Sequence, residues 1–332
     1  MTLNRLSRCA CAATCILLGL ASEVRAYDFN FIPIDVPGAT TTLASGINDR
    51  GHIVGSFFDA NGMPHGFLNN HGTFTTIDFP GATRTSLSGI NNHGDIVGDY
   101  FIPRQGLVEP QNNAFLYNRG AFTVIDSPRG EDRGPIVNGI NNRGQMVGDI
   151  DAGRFVPFLR NPNGQITVID VPGSTVLTHG FDINNGGDIV GSFHPASGPA
   201  ESGFLDEHGR FTTIDVPGAS TTQALGLNDR GVIVGSYLGL DNRSHGFLDI
   251  RGHFITVDVP GARSTTVTGI NNHGLFVGSF IDANGHTRGY VDPPSEVPEP
   301  ASWFLLASGI SGFVLFKKRF NDSANMLDGL DR

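Results

Sequence analysis

Three features of this sequence predict an all-β fold, a six-bladed β-propeller built from four-stranded blades. One motif returns six times at a spacing of 43 to 48 residues. Each copy divides into four strand-like runs separated by turn residues. The first run of the chain has no strand-like neighbours before it, and the last copy lacks a closing run. Glycine (45) and proline (19) make up about one residue in five, which suits short strands and tight turns better than helices.

The motif reads "IDVPGA" at Ile34, "IDFPGA" at Ile77, "IDSPRG" at Ile125, "IDVPGS" at Ile169, "IDVPGA" at Ile214 and "VDVPGA" at Val257. Within a copy the runs follow in order. "FTTID" (Phe74 to Asp78) alternates and is rich in threonine, as strands are. "PGA" then turns the chain, with Pro where φ near −65° is wanted and Gly where φ is positive. A second strand runs into "GIN", and "NNHG" (Asn91 to Gly94) makes a hairpin turn. "DIVGDYF" forms the third strand. "DANG" at Asp59, or a longer loop, leads to a fourth strand around "GFL". Four strands in about 44 residues match a propeller blade rather than a solenoid coil or a sandwich. The run "FNFIPID" (Phe29 to Asp35) is expected to complete the last blade, which ends at "RGYVD", and so close the ring without an exposed edge.

The ends of the chain read as targeting segments around this body. Arg5 and Arg8 precede a short apolar stretch, Cys9 to Ala21, and Val24 and Ala26 occupy the small-residue positions before a cut at Ala26. Residues 1–26 are therefore read as a signal peptide, too short in its apolar part to span a membrane. All three cysteines (Cys9, Cys11, Cys15) lie in it, so the exported body, residues 27–293, would carry none and rely on packing alone. Between Tyr27 and Glu296 there are 27 Asp and Glu against 15 Arg and no Lys, a formal charge of −12. An acidic body repels phosphate backbones, which argues against a nucleic-acid partner.

At the other end, residues 294–300 form a linker carrying "VPEP" (Val297, Pro298, Glu299, Pro300). Sixteen uncharged residues follow, Ala301 to Phe316, then Lys317, Lys318 and Arg319, and a polar tail at 320–332. A helix over 301–316 would cover about 24 Å, short of a hydrocarbon core of roughly 30 Å, with the basic cluster on the cytoplasmic side. These three parts in order resemble the PEP-CTERM sorting signal of Gram-negative, biofilm-forming bacteria. The resemblance implies an exosortase as partner, a transient inner-membrane anchor, and delivery to the cell surface or matrix alongside exopolysaccharide. A permanent anchor is the alternative. The body in turn resembles the HAF extracellular repeats, through "HGF" (His65 to Phe67), "NAF" (Asn113 to Phe115) and their counterparts. That likeness implies an extracellular location and no established chemistry.

Candidate sites are few. The repeated aspartates (Asp35, Asp78, Asp126, Asp170, Asp215, Asp258) would form a ring of carboxylates about a channel, or cap the Pro-Gly turns; capping is the expectation. The repeated asparagines (Asn48, Asn91, Asn141, Asn184, Asn228, Asn271) are likewise read as turn-bonding side chains. "DANG" at Asp59 and Asp282 lacks the remaining ligands of a calcium loop. No "GxSxG", "HExxH" or Walker-type motif occurs, and the histidines lack metal-ligand spacing, so no catalytic residue, metal or cofactor is assigned. The sole tryptophan, Trp303, lies outside the body.

Departures from the repeat mark the expected binding rim. "PRQGLVEPQNN" (Pro103 to Asn113) and "SPRGEDRGPI" (Ser127 to Ile136) exceed their counterparts in other copies, and "HPASGPAES" (His194 to Ser202) also departs. Strands alternate in direction, so these connections should emerge on one face and gather Arg104, Glu109, Arg129, Glu131, Asp132 and Arg133 there. The function expected is that of an exported surface or matrix protein, structural or adhesive and associated with exopolysaccharide. A lectin-like glycan-binding propeller is the alternative, and a polysaccharide-active enzyme a third reading.

Overall fold

A computed structural model describes residues 29–103, 113–126, 134–151 and 154–293. The described chain is all β. A first strand, β1 (Ile32–Ile34), precedes the blades. Blade 1 comprises β2 (Thr41–Ile47), β3 (His52–Phe58), β4 (Pro64–Asn70) and β5 (Thr73–Ile77). Blade 2 comprises β6 (Arg84–Ile90), β7 (Ile96–Phe101), β8 (Asn113–Asn118) and β9 (Ala121–Ile125). Blade 3 runs through β10 (Ile136–Ile140), β11 (Met146–Asp151), β12 (Phe155–Arg160) and β13 (Ile166–Val168). Blade 4 runs through β14 (Ser174–Ile183), β15 (Ile189–Pro195), β16 (Ser202–Glu207) and β17 (Arg210–Ile214). Blade 5 holds β18 (Thr221–Leu227), β19 (Val232–Leu238), β20 (Ser244–Ile250) and β21 (His253–Val257). Blade 6 holds β22 (Ser264–Ile270), β23 (Phe276–Ile281) and β24 (Thr287–Asp292). Every sheet is four-stranded, and the sixth has the order β1-β24-β23-β22, making a six-bladed propeller.

The N-terminal strand closes the ring as its sequence position implies. β1 pairs antiparallel with β24, Ile32 opposite Val291 and Ile34 opposite Gly289. Ile34 is 3% exposed, and the rings of Phe29 and Phe31 pack edge-on against Phe276 and Tyr290. The closing strand is thus held by apolar burial as well as by its ladder.

One feature of the predicted unit is corrected. The run "FTTID" does not open a blade: β5, β17 and β21 are outermost strands, and the "GIN" strands β2, β6, β10, β14, β18 and β22 are innermost. The Pro-Gly turn therefore joins one blade to the next. It is otherwise as expected, with Ala39 N–H bonded to Val36 O at 3.0 Å and Gly38 at φ +81°. Outer hairpins turn on two residues of positive φ, such as His71 and Gly72.

Between blades, six similar apolar clusters repeat. Each centres on a fully buried aromatic of the third strand, namely Phe67, Phe115, Phe158, Phe204, Phe247 or Tyr290. Small residues make room for it: a Cβ added at Gly55 would lie 2.9 Å from the Phe67 ring and 1.9 Å from Leu43 O.

Candidate functional site

The six asparagines do more than bond their own turns. In each, Oδ1 accepts N–H bonds from its turn, as Asn91 does from His93 and Asp95. Each Nδ2 also donates to the carbonyl of the corresponding asparagine in the next blade. The bonds run Asn48 to Asn91, Asn91 to Asn141, Asn141 to Asn184, Asn184 to Asn228, Asn228 to Asn271, and Asn271 back to Asn48. A second ring follows one residue later, from Asp49 N–H to Asn92 Oδ1 and on to Asn272 N–H on Asp49 Oδ1. The sequence reading saw the turns and missed the two rings, because an inter-blade partner about 43 residues away is invisible locally.

This face is therefore tied together by two closed rings with the same bonding in every blade. The opposite face, where first strands begin and second strands end, is not. There β7 ends at Phe101 and β8 starts at Asn113, whereas β3 ends at Phe58 and β4 starts at Pro64. Likewise β9 ends at Ile125 and β10 starts at Ile136, whereas β5 ends at Ile77 and β6 starts at Arg84. Antiparallel alternation puts all these strand ends on one rim. Arg104, Glu109, Arg129, Glu131, Asp132 and Arg133 lie outside the described residues, as do Ala26, Val297 to Pro300 and Lys317 to Arg319. The described connection between β15 and β16, residues 196–201, stands on this rim as expected.

Three of the repeated aspartates, Asp35, Asp78 and Asp258, follow outermost strands and reach sideways to a neighbouring strand rather than ringing the channel or capping the Pro-Gly turn. Asp78 Oδ2 lies 2.7 Å from His65 Nδ1, with Asp59 Oδ2 3.8 Å from the other ring nitrogen. Blade 5 repeats the arrangement with His245 between Asp258 (2.8 Å) and Asp241 (3.1 Å). In blade 6 Arg288 takes the histidine's place, 3.1 Å from Asp35 and 3.3 Å from Asp282. The two imidazoles stack on Phe57 and Tyr237 of the neighbouring strand. Burial pulls the His245 proton affinity down, but bonds to Asp258 and Asp241 outweigh it and raise the pKa. Asp282 is held down to about 2, chiefly by the His286 and Asn284 backbone N–H groups and Arg288. Three adjacent blades, 5, 6 and 1, thus set a basic side chain between two carboxylates. A sequence signal was present: His65 and Asp78 share the spacing of His245 and Asp258.

Blades 2 to 5 differ at their inner seams. Arg84 bonds Asp99 at 3.1 Å. His179 Nδ1 lies 3.1 Å from Asp149 Oδ2, and that bond raises the histidine pKa. Ser192 Oγ donates to Glu201 at 2.6 Å, and Gln223 joins the same carboxylate at 2.9 Å. Among the described residues no cluster of His, Cys, Asp and Glu has the makings of a metal site.

At the axis, blade 4 departs from the other five in placing a carboxylate where they have glycine. Five blades place glycine before the "IN" or "LN" pair (Gly46, Gly89, Gly139, Gly226, Gly269), where the six innermost strands converge. Blade 4 has Asp182 there. A Cβ on Gly46 would meet Ser88 O at 3.1 Å, and one on Gly139 would meet the Asp182 carboxylate at 2.8 Å. Asp182 lines both small axial cavities, of about 70 and 60 Å³. Its oxygens accept N–H bonds from Ile183 (2.8 Å) and Leu227 (3.2 Å). The group keeps some accessible surface, as a channel-lining residue does, yet protein surrounds it on all sides. That burial raises its pKa to about 7, against the pull of the two N–H bonds. The departure "GFDIN" was legible in the sequence as a broken repeat, although its axial position was not.

No protein-family model and no curated protein matches the chain. Solved structures do resemble it. TolB from Acinetobacter baumannii matches with a TM-score of 0.50 at 13% identity, over 74% of this chain and 64% of TolB, so this chain corresponds to less than two thirds of that protein. The β-propeller domain of the Trilobed protease from Pyrococcus furiosus matches with a TM-score of 0.45 at 9% identity, covering 76% and 81%. A mutant Aleuria aurantia lectin in complex with alpha-methyl-L-fucoside matches with a TM-score of 0.45 at 9% identity, covering 81% and 99%. At 13% identity the likeness to TolB speaks for the fold alone, and the six four-stranded sheets make that fold a six-bladed β-propeller.

Proposed function

We propose that this is an exported, non-enzymatic surface or matrix protein, a rigid propeller that adheres to exopolysaccharide through its variable rim. The observation that supports the reading is the asymmetry of the two faces. One face is locked by two closed hydrogen-bond rings, while the long connections after Phe101 and Ile125 leave from the other. Connections free of the repeat carry recognition more readily than the scaffold that holds them. The targeting segments read from the sequence supply the route: export through residues 1–26, then an exosortase acting at the PEP motif, with the C-terminal helix as a transient inner-membrane anchor.

The test is retention of the exported protein on the producing organism's own polysaccharide. Shortening residues 104–112 and 127–133 to the length of the other copies should abolish retention while the melting temperature holds. Retention unchanged by both deletions would refute the rim as the adhesive face. Mass measurement of the exported form should find Tyr27 at its start and nothing beyond the PEP motif. Recovery of Lys317 to Arg332 would show a retained anchor instead.

A further inference from the structure

A groove on the rim lies between the third strand of blade 6 and the turn that leads from β1 into blade 1. Its volume is about 520 Å³, and Asp35, Ala39, Thr40, His286 and Arg288 are among its walls. The equivalent seam lies one blade earlier, between β20 and the turn from blade 5 into blade 6. There the protein fills it with its own side chain. Arg243 lies across the seam, with Nε donating to Arg263 O at 2.9 Å and a terminal nitrogen donating to Ala262 O.

The two grooves match residue for residue. Arg243, Ser244 and His245 correspond to His286, Thr287 and Arg288, and Ala262 and Arg263 correspond to Ala39 and Thr40. His286 does not cross to the turn as Arg243 does; its Nδ1 lies 3.5 Å from Asp282 on its own hairpin. The blade 6 groove therefore presents the turn geometry that receives a guanidinium in blade 5, without the internal arginine that fills it. The guanidinium fork suits this wall, since it sends parallel N–H donors to two neighbouring carbonyls. The groove already sets Arg288 between Asp35 and Asp282, but blade 5 sets His245 between Asp258 and Asp241 and still admits Arg243. The excess of carboxylates over arginines in the body favours a cation over an anion.

We propose that the groove between blades 6 and 1 binds a guanidinium group, an arginine side chain presented by a partner polypeptide, as Arg243 fills its own seam. This goes beyond adhesion to polysaccharide and does not depend on it.

The probe is acetyl-arginine amide, titrated into the full-length protein in detergent solution and followed by ligand-observed NMR. Saturable binding is expected, with the neutral isostere acetyl-citrulline amide weaker by about tenfold or more. His286→Arg should fill the groove from within and weaken binding by about tenfold or more. Arg243→Ala should open the blade 5 seam and add a second site. Asp35→Asn, which leaves both carbonyls in place, should weaken binding as well and serves if His286→Arg does not fold. Equal binding of the citrulline compound would overturn the proposal, as would binding unaffected by His286→Arg in a folded protein. Tighter binding of glucosamine than of the arginine amide would also overturn it, assigning the groove to an amino sugar.

Discussion

Replacing Asp182 with glycine should raise stability at alkaline pH and lower it in acid. The substitution gives the axis six equivalent glycines. In the folded protein the Asp182 carboxyl has a pKa of about 7, against an ordinary value of 3.8. Between those values the native state holds a proton that the unfolded chain has released. Stability from this group is thus full below about pH 4, falls as pH rises, and is lost above about pH 7. A gap of about three pH units at about 1.36 kcal/mol each makes the wild-type loss on the order of 4 kcal/mol. Glycine forfeits the bonds that Asp182 accepts from Ile183 and Leu227, at roughly 0.5–1.5 kcal/mol each, and adds backbone entropy to the unfolded chain. The variant should therefore be less stable than wild type at pH 4 and more stable at pH 8, there by up to about 2.5 kcal/mol. Asp182→Asn, which keeps a carbonyl acceptor, should lose the same pH dependence with a smaller cost in acid. The assay is urea unfolding followed by circular dichroism at pH 4, 6 and 8. Other carboxylates cancel in the difference between wild type and variant. Parallel pH profiles for wild type and Asp182→Gly would refute the buried axial carboxylate.

Three further outcomes are expected. Asn91→Ala removes one link of the inner ring and three bonds within its turn, and should cost about 2–4 kcal/mol in chemical unfolding; a cost under about 0.5 kcal/mol would mean the ring is ornamental. Deleting residues 29–34 strips buried Ile34, at roughly 1.5–3 kcal/mol, and the half-buried Phe29 and Phe31 from blade 6, and should lower the melting temperature sharply; an unchanged melting temperature would refute closure by β1. The His245 imidazole should titrate above 6.5 by NMR and shift down in Asp241→Asn, so the stability it contributes is complete below that value and fades as pH rises through the folded pKa; a titration at or below 6.5 would show that the two carboxylates do not hold its proton.

The sequence by itself determined the architecture. Six copies of one unit, each with four alternating runs and turn residues at fixed offsets, leave little besides a six-bladed ring, and the unpaired first run announced its closure. Local chemistry carried those inferences: Gly38 needs positive φ, and Pro37 needs its fixed one, whatever surrounds them. The phase of the blade was beyond reach, because a cyclic repeat has no first strand until pairing assigns Thr73–Ile77 to the outside of blade 1. The roles of the repeated polar residues were equally hidden. Asn48 and Asp78 each precede a turn, yet one reaches the carbonyl of the next blade and the other a histidine on the neighbouring strand. Those partners lie 43 and 13 residues away, at distances that only the folded ring brings within hydrogen-bond reach. Asp182 shows the division most plainly. Its departure from glycine was written in the sequence, while its raised pKa comes from the convergence of six strands on one axis, which surrounds the carboxylate with protein and weakens its hydration.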